Sequence, residues 1–176
     1  PAGALDEETE IGIEPIKNTS PGGKGNSFRL TPHGKTFKKP VTIRFNYSKQ
    51  QQFISSSKPL EIAYQDDKGI WTCTGKTQLD ETTKTVSVQA DHFSDWTFIA
   101  TMELTPIMTT VGLGEQVNLK AIRYVLPEDV LVPLTSPCPT GDAMTLESSY
   151  IVGWALSGPG KLEGKGSNAV YTAPSS

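Results

Sequence analysis

Apolar residues in this chain recur at every second position in many short runs, and no segment of residues 1–101 reads as a convincing amphipathic helix. Val41, Ile43, Phe45 and Tyr47 alternate with Thr42, Arg44 and Asn46, the cleanest such run in the sequence. A period of two puts every apolar side chain of a strand on one face, so the run predicts a half-buried β-strand. Ile11 and Ile13 predict another half-buried strand within Glu10 to Ile16, and Phe28 to Leu30 a short one. Leu60, Ile62 and Tyr64 predict a strand that returns as Ile70 to Cys73 after the turn residues Asp66-Asp67-Lys68-Gly69. Leu79 to Thr83 reads as a further turn, Thr85 to Ala90 as a strand and Trp96 to Ala100 as the last strand of this half. Lys49 to Lys58 is polar and reads as a loop or a single turn. The expected fold class is all-β.

The composition agrees. Sixteen glycines and thirteen prolines in 176 residues supply many turns, and three tryptophans, five tyrosines and six phenylalanines supply cores. A net charge of −3, with no basic run interleaved with aromatics, gives no reason to expect nucleic acid as a partner. No apolar run is long enough to span a bilayer as a helix, so the chain is not expected to be membrane-spanning itself. Cys73 and Cys138 flank no metal-ligand spacing, and with two histidines in the chain neither a metal nor another cofactor is expected. Because the two cysteines fall in what read as separate domains, both are expected as free buried thiols.

From Met102 the character changes. Met102 to Gln116 has the composition of a linker and strand entry, placing a boundary near Thr101 and dividing the chain into 1–101 and 102–176. Val117, Leu119 and Ala121 alternate as a strand, and Leu126 to Met144, with four prolines, reads as a long excursion around Cys138. Tyr150 to Leu156 reads as a buried strand, Gly158 to Gly166 as a hairpin region and Ala169 to Tyr171 as a final strand. Gly160 to Ser167 hints at a phosphate loop, but its spacing is one residue short and no helix follows. Asp66-Asp67 lacks the spaced carboxylates of a calcium loop, and His33 reads as a turn residue.

One cluster could carry covalent chemistry: Asp91-His92-Phe93-Ser94-Asp95-Trp96. The Ser94 hydroxyl could attack the Phe93 carbonyl carbon with His92 as general base, its unperturbed pKa of about 6.5 suiting the task. The C–N bond breaks, an ester forms, and water then hydrolyses that ester to leave a Phe93 carboxylate and a Ser94 amine. The step needs a strained peptide. The alternative is structural: Phe93 fills the core, Trp96 packs on the sheet, and Ser94 and Asp95 make local hydrogen bonds. Tyr64, Trp71 and Trp96 could line a sugar-stacking surface, although aromatics on strands more often belong to the core.

Several of these stretches together resemble a known module. Pro1-Ala2-Gly3-Ala4-Leu5, then Phe28-Arg29-Leu30-Thr31-Pro32-His33-Gly34, Phe37 and Lys39-Pro40-Val41-Thr42-Ile43 occur in the order seen in the ZU-five family. Leu60 to Tyr64, Gly69-Ile70-Trp71 and the closing His92 to Trp96 continue the match over residues 1–101. That β-module is shared by ankyrins, netrin receptors and zonula-occludens scaffolds, and this version is similar to those of surface lipoproteins of gut bacteria. Some members self-cleave between Phe and Ser of the triplet that His92, Phe93 and Ser94 match, whereas others serve binding and structure. The resemblance implies strands preceding Pro1, whose abrupt opening reads as a boundary within a longer polypeptide. Gly114 to Leu119, Trp154 to Gly160 and Val170 to Pro174 resemble bacterial immunoglobulin-like repeats, with a closing strand expected after Pro174. Two tandem β-sandwich-like modules are therefore expected, the second incomplete. The implied role is a non-enzymatic structural or interaction module at an extracellular site or the bacterial surface, in an outer-membrane lipoprotein or the periplasm. Its partner is an unknown protein or glycan, with self-cleavage and carbohydrate binding as the alternatives.

Overall fold

The computed structural model describes residues 1–125 and 138–176, and in them the chain is all-β, built of two antiparallel sheets. The strands are β1 (Gly12–Ile16), β2 (Ser27–Thr31), β3 (Thr36–Asn46), β4 (Leu60–Gln65), β5 (Trp71–Cys73), β6 (Gln78–Asp80), β7 (Thr85–His92) and β8 (Asp95–Ala100). After them come β9 (Met102–Thr105), β10 (Gln116–Val125), β11 (Cys138–Thr145), β12 (Lys161–Lys165) and β13 (Asn168–Thr172). The large sheet runs β1-β2-β8-β4-β5-β11-β10-β13-β12, with β9 also on β10, and the small one β3-β7-β6.

The first core lies between these sheets. Val86, Val88 and Ala90 of β7 and Phe45 of β3 face Leu30, Leu60, Ile62, Trp96, Phe98 and Ala100 of the large sheet. The Phe45 ring meets the Phe98 ring at 5.7 Å, a contact across the sandwich. β8 is buried at all six positions because the sheet is covered on both faces. Trp96, Phe98 and Ala100 point into the sandwich, while Ile99 joins Ala63, Trp71 and Cys73 behind the sheet. There the segment before β2 covers it, Asn18 Nδ2 donating to Thr97 Oγ1 at 2.8 Å and Trp71 Nε1 to Thr19 Oγ1 at 3.1 Å. The outermost strands carry residues that discourage further pairing: Pro15 in β1, Lys38, Lys39 and Pro40 in β3, and Lys161 and Lys165 in β12.

Four sequence expectations change. Ile11 and Ile13 are not half-buried: Ile13 is 69% exposed, because the three strands of the small sheet do not extend over β1. Leu79 lies in the short strand β6, and Met102 to Thr105 forms β9 rather than linker. Tyr150 to Leu156 is no buried strand. It lies outside the sheets, with Val152 fully exposed, because among the described residues no strand pairs with it. Trp154 instead folds back over Gly164, where a side chain would collide with the indole, and its Nε1 donates to Gly166 O at 2.8 Å. Of the expected excursion, 126–137 lies outside the described residues, and Cys138–Thr145 is β11.

The expected free thiols are also corrected. Cys73 is disulfide-bonded, and no cysteine among the described residues is free. Pairing between β5 and β11, which sets Cys73 opposite Cys138 in backbone register, runs straight across the sequence division near Thr101.

Candidate functional site

Phe93 and Ser94 form the step between the two sheets. β7 ends at His92 in the small sheet and β8 begins at Asp95 in the large one, so the two residues carry the chain across the sandwich edge. Their backbone is held from both sides. Phe93 N donates to Lys35 O and Gly34 N to Phe93 O, each at 2.9 Å, while Leu30 N donates to Ser94 O at 3.0 Å. The Phe93 side chain is buried, its ring edge-on to Phe37 at 4.7 Å. Ser94 is 2% exposed, and its Oγ donates to Gln65 O at 2.5 Å. Asp95, equally buried, accepts two bonds from Arg29, from Nε at 2.9 Å and from Nη2 at 2.8 Å, across a register pair of β2 and β8. A bidentate guanidinium is the arrangement that best compensates a carboxylate taken out of water.

His92 faces elsewhere. Its Nδ1 lies 2.7 Å from Asp91 Oδ1, and its ring sits against Tyr64 at 4.9 Å and Trp96 at 5.4 Å. A carboxylate only accepts, so Nδ1 carries the proton in this contact and Nε2 is the basic nitrogen of the neutral ring. The contact holds Asp91 below its ordinary value, the hydrogen bond from His92 being the main cause and burial opposing it. A carboxyl lowered on folding adds stability that is present above its ordinary value of 3.8 and is lost as pH falls through the folded value. Melting wild type and Asp91→Asn side by side should therefore show a gap above pH 3.8 that closes below it. Parallel curves throughout would mean that the contact contributes nothing.

The three candidate residues are thus adjacent in sequence but divided in role. His92 is engaged with Asp91, and the Ser94 hydroxyl with the Gln65 carbonyl, so no hydrogen bond joins them among the described residues. Among those residues the cis peptides are Thr31–Pro32 and Thr105–Pro106, and the non-glycine with positive φ is Lys84, so the Phe93–Ser94 step is neither. One feature does suit acyl chemistry: Gly34 N–H already donates to the oxygen that would become the oxyanion. In comparisons with protein-family models, curated proteins and solved structures, nothing matched this chain.

The aromatic trio is no open platform. Trp71 is 5% and Trp96 2% exposed, and Tyr64 is partly buried against both His92 and Trp96. Asp66 serves its turn, Oδ1 accepting from Lys68 N and Ile70 N. Sequence reasoning missed Gln65, Gly34, Lys35 and Arg29 as the groups that hold the segment, since each acts across a fold-dependent contact that no local spacing announces. It also missed an apolar cleft of about 970 Å³ between β1 and β3, lined by residues including Ile11, Ile13, Val41, Ile43, Phe28 and Phe93.

Proposed function

We propose that this chain is a non-enzymatic structural and interaction module of a bacterial cell-surface or secreted protein, a ZU-five-like unit over 1–101 followed by an immunoglobulin-like unit over 102–176. The observation that carries the reading is how the Asp91–Trp96 segment is used. The amide of Phe93, the carbonyls of Phe93 and Ser94 and the Ser94 hydroxyl are all spent on structural bonds to the β2–β3 turn and to β2 and β4 of the large sheet. A nucleophile poised for attack would need its proton directed at a base, and here the proton goes to a peptide carbonyl. The disulfide at Cys73 supports an oxidising compartment such as the cell exterior or the periplasm. The β1–β3 cleft, with Ile11 and Ile13 bare beside it, favours a protein partner over a glycan, because its walls are apolar and the tryptophans are buried.

Self-processing at Phe93–Ser94 is the second reading, favoured by the Gly34 donor on the Phe93 carbonyl and by the Asp91–His92 contact that orients a base. Intact mass under denaturing conditions decides between them. Wild type and Ser94→Ala are both expected to remain single, full-length chains on prolonged incubation. A wild type that splits between Phe93 and Ser94 beside an intact mutant would replace the first reading with the second.

A further inference from the structure

We propose that the two halves of the chain form one rigid strut that unfolds as a unit, latched at their junction by the buried Glu103 and the partly buried Lys24 and Tyr124; this rests on the structural reading above. The three residues come from both sides of Thr101. Lys24 lies in the segment that runs beside β8, where Lys24 N donates to Phe98 O at 3.1 Å and Ala100 N to Gly22 O at 2.9 Å. Glu103 is on β9 and Tyr124 on β10, which pair with each other.

Lys24 Nζ sits 2.6 Å from Glu103 Oε1 in an ion-pair contact, with side chains 11% and 4% exposed. Beside it the Tyr124 phenol is held above its usual range, first by burial and then by the charge of Glu103. The Tyr124 ring lies on Gly22, where a Cβ would come within 2.7 Å of the ring and 2.5 Å of Ala100 O. Gly22 also has a φ of +68°, so glycine is required there twice over.

Thr101 itself has no slack. Its N–H and Oγ1 both donate to Pro59 O, at 2.9 and 3.0 Å, and its carbonyl accepts from Tyr124 N at 2.9 Å. Further along, Leu104 N donates to Ser55 Oγ at 3.1 Å, and on the far side of the sheet Thr140 Oγ1 donates to Trp71 O at 3.0 Å. Units joined by a hinge leave such a linker exposed and its polar groups to water. Here strand pairing between β5 and β11 and a desolvated charge pair close the junction from two directions. An ion pair taken out of water adds little net stability but tolerates no displacement, because separating it leaves each charge buried alone. That property fixes an angle between two bodies better than apolar contact does.

Hydrogen exchange followed by mass across a urea series tests this on the whole chain. Wild type is expected to lose protection in β7–β8 and in β12–β13 at one urea concentration. Glu103→Gln, which strands the Lys24 ammonium, is expected to speed exchange in β12–β13 at least about tenfold while β7–β8 follows later. The double variant Lys24→Met/Glu103→Leu, which removes both charges, should restore a single transition. A wild type in which β12–β13 opens at lower urea than β7–β8, or a Glu103→Gln whose exchange matches wild type, overturns the latch. If Glu103→Gln does not fold, Lys24→Met, which strands the Glu103 carboxylate instead, decides in its place: faster exchange in β12–β13 than in β7–β8 supports the latch, and exchange matching wild type overturns it. The same spectra report chain length, so a failure here is distinct from cleavage at Phe93–Ser94.

Discussion

Reduction of the disulfide at Cys73 is expected to lower unfolding stability by about 2–5 kcal/mol, a drop of about 5–15 °C in Tm for a chain of this size. Cys73 is 2% exposed in β5, a strand of only three residues packed against Ala63 and Ile99. So short a strand contributes few ladder bonds of its own, and it sits where β4 on one side must meet β11 on the other. A covalent tie there constrains the unfolded chain and holds a three-residue strand of the large sheet in the folded one. Cys73→Ala should therefore melt where reduced wild type melts, and should no longer respond to reductant. Superimposable melts of wild type with and without dithiothreitol would show that the sheet holds at β5 without it.

Alternation made β3, β4 and β7 legible because each presents one face to the core and one outward. Val86, Val88 and Ala90 are buried between outward-facing neighbours, as a period of two requires. The pattern fails where the environment is not two-faced. β9 is four residues long, and β11 contains Pro139, Gly141 and Asp142, residues of turn chemistry that become a strand because β10 lies alongside. Tyr150 to Leu156 errs the other way. Its composition suits a strand, yet a strand exists only with a neighbour, and Trp154 finds its contact on Gly164 instead.

At Asp91–Trp96 the burial of Phe93 and Trp96 was legible from residue type. The division of labour was not. Ser94 has Gln65 as its acceptor, 29 positions away, and Asp95 has Arg29 as its partner, 66 away, so both depend on how β2, β4 and β8 are ordered in the sheet. The triplet taken alone put His92 and Ser94 into one reaction, whereas the β7-to-β8 crossing sends neighbouring side chains to different surroundings.

Trp96→Ala is expected to cost about 3–5 kcal/mol, the range for emptying a buried tryptophan site. Trp96 stands opposite Phe28 in β2 and Tyr64 in β4, and its ring touches those of Tyr64 and His92. Among the described residues its buried indole Nε1 has no hydrogen-bond partner, so part of what the side chain contributes by packing is already offset by a stranded donor. Trp96→Phe discards that donor along with part of the volume, and should cost about half as much as Trp96→Ala or less. Urea unfolding at constant m would measure both. Equal losses for the two variants would mean that ring volume outweighs the unmet N–H. The pair also bears on function, because Trp96 walls one side of His92 and follows Asp95, the buried carboxylate next to Ser94. If the segment serves only to join the sheets, Trp96→Ala loosens it and leaves the chain whole. A segment held back from cleavage by packing alone would instead begin to split at Phe93–Ser94 once that wall is gone.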